Sequence, residues 1–136
     1  MGLFSGKRPA GLGFQDAKFR AEPSWKSNWV SSTAPRDDAA HYIAPIEIAR
    51  DRAKAWAALD AAITGTPGAT VVQRHPGYLH VEFASRRLGF VDDAEFAMDQ
   101  NGKRIHVRSA ARLGVRDFNV NRERLERLRA AVAAAS

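Results

Sequence analysis

The chain has 136 residues, 45% of them hydrophobic and 26% charged, which suits one globular domain burying about two-thirds of its unfolded surface. It contains no cysteine, which excludes disulfides, thiolate metal sites and cysteine nucleophiles. The formal charge of +6 suits a polyanionic partner, but the 16 arginines are scattered among 15 acids and no recognition motif accompanies them, so nucleic acid stands only as an alternative partner.

The first 13 residues include Lys7, Arg8 and Pro9 but no apolar run of signal-peptide length. Nor does any apolar stretch reach the roughly 18 residues of a membrane span. The expectation is a cytoplasmic chain without a membrane partner. The start Met1-Gly2-Leu3-Phe4-Ser5-Gly6 approaches a myristoylation signal but has Gly6 where Ser or Thr is wanted, so lipidation is not expected.

Residues 1–44 carry Gly2, Gly6, Gly11, Gly13, Pro9, Pro23 and Pro35 without helical or alternating periodicity, and read as an irregular arm. Phe14, Phe19, Trp25 and Trp29 make it too apolar to hang free, so residues 14–35 are expected to pack on the body, with the first few residues loose. Residues 45–136 read as an α+β body, the whole forming a single domain. A helix is expected from Pro45 to about Thr64, with Ile48, Ala55, Trp56, Leu59, Ala62 and Ile63 on one stripe and Arg52 at its edge.

Four antiparallel strands follow, at Ala69–Arg74, Tyr78–Ser85, Leu88–Met98 and Arg104–Ala110. Asn101-Gly102 suggests a type I′ hairpin that pairs Met98 with Ile105, Phe96 with Val107 and Glu95 with Arg108. A two-residue turn at Arg86-Arg87 would set Phe83 against Phe90 and His80 against Asp93, with a longer loop as the alternative because arginine resists positive φ. One sheet face then carries Leu79, Val81, Phe83, Leu88, Phe90, Phe96, Ile105 and Val107 under the helices. The other carries Tyr78, His80, Glu82, Asp93, Glu95, His106 and Arg108. Asp92 falls on the apolar side, where a carboxylate needs a partner. A second helix is expected over Arg122–Ala134 with Asn121 as N-cap.

Five segments in order, Gly11-Leu12-Gly13, Asn28-Trp29-Val30-Ser31-Ser32, Phe90-Val91-Asp92-Asp93-Ala94-Glu95-Phe96, Arg108-Ser109-Ala110-Ala111-Arg112-Leu113-Gly114 and Asp117-Phe118-Asn119-Val120-Asn121-Arg122, resemble domain-of-unknown-function family 1499 over nearly the whole chain. The resemblance transfers no activity. It implies cysteine, serine and glycine where this chain has Trp29, Ala111 and Asn119. Asparagine tolerates positive φ, so the last exchange should keep its turn.

The candidate ligand-binding or network residues are Asp92, Asp93, Glu95, Arg108, Ser109, Arg112, Asp117, Asn121 and Arg122, with Asn28, Ser31 and Ser32 from the second segment and His80 from the polar face. At least one of Arg108, Arg112 and Arg122 is expected to contact Asp92 or Asp93. The cluster reads as a structural network or as an anion pocket of guanidinium forks at a helix N-terminus. Asp92, Asp93, Glu95 and His80 do not make a metal site, since the two aspartates point to opposite faces and Arg108 would oppose a cation. Ser31, Ser32, Ser109, His41, His80 and His106 are parts for a hydrolase, but no nucleophile elbow places them, so no catalytic residue and no cofactor is assigned. The expectation is a module that binds an anionic small molecule or a protein. A small acid/base enzyme on the polar sheet face is the alternative.

Overall fold

A computed structural model describes residues 5–86 and 88–135. The myristoylation-like start, the loose first residues and Arg87 of the supposed Arg-Arg turn lie outside the described residues, apart from Ser5 and Gly6. The elements in order are β1 (Phe14–Gln15), β2 (Lys18–Phe19), β3 (Trp29–Ser31), β4 (Ile46–Glu47), α1 (Arg52–Thr64), β5 (Ala69–His75), β6 (Tyr78–Ala84), β7 (Val91–Met98), β8 (Arg104–Ala111) and α2 (Val120–Ala135).

The fold is α+β, but its main sheet has six strands, not the four expected. The order is β3-β8-β7-β6-β5, all antiparallel, and β4 also pairs with β8. The two additional strands come from the arm and from the segment read as the start of the first helix. Their two or three residues are too few for an alternating pattern to register in sequence. β1 and β2 form a separate hairpin within the arm, turning through Asp16 and Ala17 at positive φ.

Helix α1 starts seven residues later than Pro45 suggested, because Ile46 and Glu47 pair with Ile105 and Arg104. The helix is capped instead by Asp51, whose carboxylate accepts from the N–H groups of Ala53 and Lys54. Ala55, Leu59 and Ile63 are buried, with Ile48, Trp56 and Ala62 packed beside them, and Arg52 is exposed. Helix α2 also departs from expectation. Asp117, not Asn121, caps its entry by accepting from Asn119 and Asn121, while Asn121 is buried inside the first turn. Asn119 takes φ +66° and Phe118 φ +52°, so asparagine does keep the left-handed turn.

The β7–β8 register is the one read from sequence: Met98 faces Ile105, Phe96 faces Val107, and Glu95 faces Arg108. The turn is not type I′, for Gly102 has positive φ and Asn101 does not. The loop closes instead through Gly102 N–H to Asp99 O at 3.0 Å, with Asp99 Oδ1 accepting from Lys103. The β6–β7 register differs by two residues. Phe83 faces Asp92 and His80 faces Glu95, because a longer loop over 85–90 replaces the two-residue turn. Leu88 and Phe90 thereby leave the sheet and are exposed.

Both helices lie on the face carrying Leu79, Val81, Phe83, Phe96, Ile105 and Val107, joined by Leu125, Leu128 and Val132. No helix among the described residues is long and apolar enough to cross a membrane.

Candidate functional site

The polar sheet face is not open to water. Alternation along β6, β7 and β8 puts Tyr78, His80, Glu82, Asp93, Glu95, Arg108 and Arg112 on the side away from the helices, and the arm contacts this side through Arg8, Gly13 and Glu22. Arg112 grips Asp93 with Nε to Oδ2 at 2.7 Å and Nη2 to Oδ1 at 2.9 Å, and Nη2 also donates to Glu82. His80 Nε2 lies 2.8 Å from Asp93 Oδ1, and Arg8 Nε donates to Glu82 at 2.6 Å. Burial pushes the Asp93 and Glu82 carboxyls up, but the guanidinium hydrogen bonds outweigh it and both end below the ordinary carboxylate range.

Beside this cluster stands a second. Glu95 Oε1 accepts from Tyr78 Oη at 2.6 Å and from the Gly13 N–H at 2.7 Å, and Glu95 Oε2 from Arg108 Nη1 at 3.1 Å. Arg108 Nη2 donates to Glu22 of the arm. Burial and the Glu95 carboxylate push the Tyr78 phenol far up, so it stays neutral. Asp93, Glu95 and Arg108 are each about 1% exposed or less. His80, Glu82 and Asp93 bring ligand atoms within 4.8 Å of one another, but Arg112 already donates to both carboxylates and sets a positive charge where a cation would sit.

The helix-facing side holds a different set. Asp92 accepts from Arg124 Nη1 at 2.9 Å, and the same nitrogen reaches Asn121 Oδ1 at 2.9 Å and Ser109 Oγ at 3.4 Å. Ser109 Oγ donates to Asn121 Oδ1, and Asn121 Nδ2 donates to Asp117 Oδ2 and to the carbonyl of Asn28. Burial raises the Asp92 pKa despite Arg124. Asp92, Ser109, Asp117, Asn121 and Asn28 thus meet in one network. Asp93, Arg112 and His80 meet in a second set and Glu95 with Arg108 in a third, both on the opposite face.

The remaining candidates lie apart. Arg122 donates to the carbonyls of Ala39, Ala40 and Tyr42 and contacts neither aspartate. Ser31 Oγ bonds Thr33. Ser32 Oγ lies 3.1 Å from His106 Nδ1 but also accepts the Val107 N–H, and among the described residues no carboxylate hydrogen-bonds His106, whose pKa burial lowers. Trp29 stacks on His41 at 3.9 Å, filling the position where the family resemblance implies a thiol.

Sequence reasoning missed Arg124, and with it the concavity that Arg124 floors. Between the ends of β7 and β8 and the start of α2 lies a cleft of about 430 Å³. Phe83, Phe90, Val91, Leu113, Phe118 and Val120 give it apolar walls, while Asp92, Arg116, Asp117 and Arg124 supply its charges. The Arg124 guanidinium lies 4.5 Å from the centre of the Phe83 ring. Its hydrogen bonds all leave from Nη1, so Nε and Nη2 have no partner among the described residues. Arg116 makes no side-chain ion pair among the described residues. The signal for Arg124 was present in the sequence. A carboxylate on the helix-facing side of a strand needs a cation on a helix, and Arg124 lies one turn beyond Asn121.

No curated protein and no solved structure matches the chain. The family model described as "Protein of unknown function (DUF1499)" matches residues 21–132 of the 136, a span that includes all three sets and the cleft but not Arg8 and Gly13 of the arm. The chain belongs to the DUF1499 family.

Proposed function

We propose that the protein is a binding module whose site is the cleft between β7, β8 and α2, and that it takes an amphiphilic molecule with an apolar body and one anionic group. The observation that carries this reading is Arg124. Its guanidinium is fixed by Asp92, Ser109 and Asn121, lies against Phe83 and lines the apolar-walled concavity, and its Nε and Nη2 have no partner among the described residues. A few placed polar groups inside an apolar cleft of this size are what small-molecule sites use, and a pre-oriented guanidinium favours a carboxylate or phosphate. Arg116 at the cleft adds a second positive charge.

The acid/base alternative has less support. The acids of the polar face are held by guanidinium, phenol or imidazole donors beneath the arm, and His106, which lines a cavity with Ser32 and Arg104, has no carboxylate hydrogen-bonded to it among the described residues. A nucleic-acid reading is weakened because Arg8, Arg20, Arg74, Arg104, Arg108, Arg112, Arg124 and Arg129 are each spent on an acid of the same chain.

Thermal unfolding with dodecanoate below its micellar concentration checks the proposal, with acetate and dodecanol as controls. Dodecanoate is expected to raise the Tm by several degrees, since a ligand at about 100 times its Kd adds about 2.7 kcal/mol. The controls should fall short, each lacking one half of the recognition. Ala111→Leu fills the cleft without removing a charge, and should abolish the rise while leaving the unliganded Tm nearly unchanged. An equal rise with acetate, or in Ala111→Leu, would contradict the assignment.

A further inference from the structure

The exposed large hydrophobic residues among the described residues all fall in three segments, 23–27, 84–90 and 113–120. These segments are neighbours. Phe90, Leu113, Phe118 and Val120 share the cleft, Leu88 stands on the same loop as Phe90, and the Ser27 N–H bonds the carbonyl of Val115 at 2.8 Å beside a bridge to Arg116. Trp25, two residues before that tie, is 70% exposed.

Phe118 is the most telling member. It is 86% exposed and held at φ +52°, a left-handed conformation that bulky side chains resist. The Asp117 turn enforces that conformation by accepting from Asn119 and Asn121. Neither core packing nor backbone comfort accounts for an aromatic ring presented this way.

The charges beside these side chains are mostly basic, with Asp92 at the cleft and Asp117 next to Phe118 the exceptions. In 23–27, 84–90 and 113–116 the ionisable residues are Lys26, Arg86, Arg87 and Arg116, and no acid occurs. Asp117, the first acid beyond them, is tied to the start of α2. Lys26 lies with its ammonium 5.2 Å from the Trp25 ring. Aromatic and aliphatic tips set among basic residues match an anionic bilayer, whose interface takes up apolar and aromatic groups while its headgroups attract lysine and arginine.

We infer that this band is a docking surface for an anionic lipid bilayer, with Trp25, Leu88 and Phe118 entering the interfacial layer. The expectation of no membrane partner rested on the absence of a spanning segment, which does not bear on docking at the surface. The inference goes beyond the cleft's occupant and stands or falls separately from it.

Co-sedimentation of the full chain with vesicles of phosphatidylcholine containing about one-third phosphatidylglycerol tests it. The chain is expected to partition onto these vesicles, more weakly onto pure phosphatidylcholine, and less as salt rises. Trp25→Ser combined with Leu88→Ser should weaken partition by about tenfold or more. Neither residue lines the cleft, so the Tm rise with dodecanoate should persist in this variant. Lys26→Glu with Arg116→Glu should also weaken partition. No partition by the parent chain, equal partition by Trp25→Ser/Leu88→Ser, or equal binding to neutral vesicles would overturn the inference. So would a dimer in sedimentation velocity that Trp25→Ser/Leu88→Ser dissolves, since the band would then belong to a second copy.

Discussion

Replacing Arg112 with alanine is expected to cost about 3 to 5 kcal/mol of folding stability, the range for breaking a buried ion pair from one side. The Arg112 and Asp93 side chains are 3% and 1% exposed, so solvent does not screen their interaction. In the variant Asp93 keeps only His80, and Glu82 keeps only the exposed Arg8. Arg8→Ala is the control. That side chain is 57% exposed and Glu82 retains Arg112, so the change should stay within about 0.5 kcal/mol. Urea unfolding at neutral pH measures both. The loss should carry a pH signature, because the Asp93 and Glu82 pKa values are depressed on folding. Their contribution is fully present above the unfolded values of about 4 and is lost as pH falls through the lower folded values. Without Arg112, burial raises both carboxyls in the folded variant, so the gap between parent and Arg112→Ala should start to narrow as pH falls through those raised values and finish closing only below about pH 4.

Arg124→Leu is expected to be the next largest change, at about 2 to 3 kcal/mol near neutral pH. This is below the fully buried range because the Asp92 and Arg124 side chains are 13% and 12% exposed. Its pH window lies elsewhere. Burial raises the Asp92 pKa on folding, so this group favours the fold below its unfolded value of about 4 and loses that contribution as pH rises through the folded value. Without Arg124 the folded value rises further and the loss spans a wider interval. The gap between parent and variant should thus close as pH falls through a range above 4, earlier than for Arg112→Ala. Unfolding curves taken at several pH values separate the two networks. Gaps that close over the same interval would mean that the two aspartates do not differ in environment as described.

Much of the sheet was legible because period-2 alternation and charge pairing agreed. Phe96 with Val107 and Glu95 with Arg108 admit one register, and the structure has it, even though the turn between them differs in type. The β6–β7 register was not legible, because Arg86-Arg87 and the apolar pair Leu88 and Phe90 suggested a tight turn where the chain uses a longer loop. Helix starts were misplaced for a common reason. Pro45 and Asn121 carry the start signals that the sequence reading used, but Asp51 and Asp117 do the capping, and pairing of Ile46 with Ile105 keeps the chain extended after Pro45.

The candidate residues were legible as chemistry but not as geometry. Strand parity separated Asp92 from Asp93, yet it gave no sign that the polar face is covered, since an alternating polar row reads the same under water as under an arm. The arm's own contribution came from single residues, Arg8, the Gly13 N–H and Glu22, which carry no periodic signal. Arg124 carries no periodic signal of its own, since the pattern legible in α2 is the apolar stripe of Leu125, Leu128 and Val132. The cleft was invisible for a related cause. Phe90 reads as core from the sequence, and its release into a loop is what leaves it exposed at the cleft.

If the acids and arginines of the arm-covered face hold the fold and the cleft at Arg124 takes the ligand, as proposed, the two sets of arginines should respond differently to dodecanoate. Arginine side-chain Nε–Hε resonances, followed by nuclear magnetic resonance during a dodecanoate titration, test it most directly. The Arg124 resonance and the backbone amides of Phe118 and Val120 are expected to shift and saturate together, with the Arg108 and Arg112 resonances unmoved. Shifts at Arg108 and Arg112 with Arg124 unmoved would contradict the account, because they would place the ligand beneath the arm.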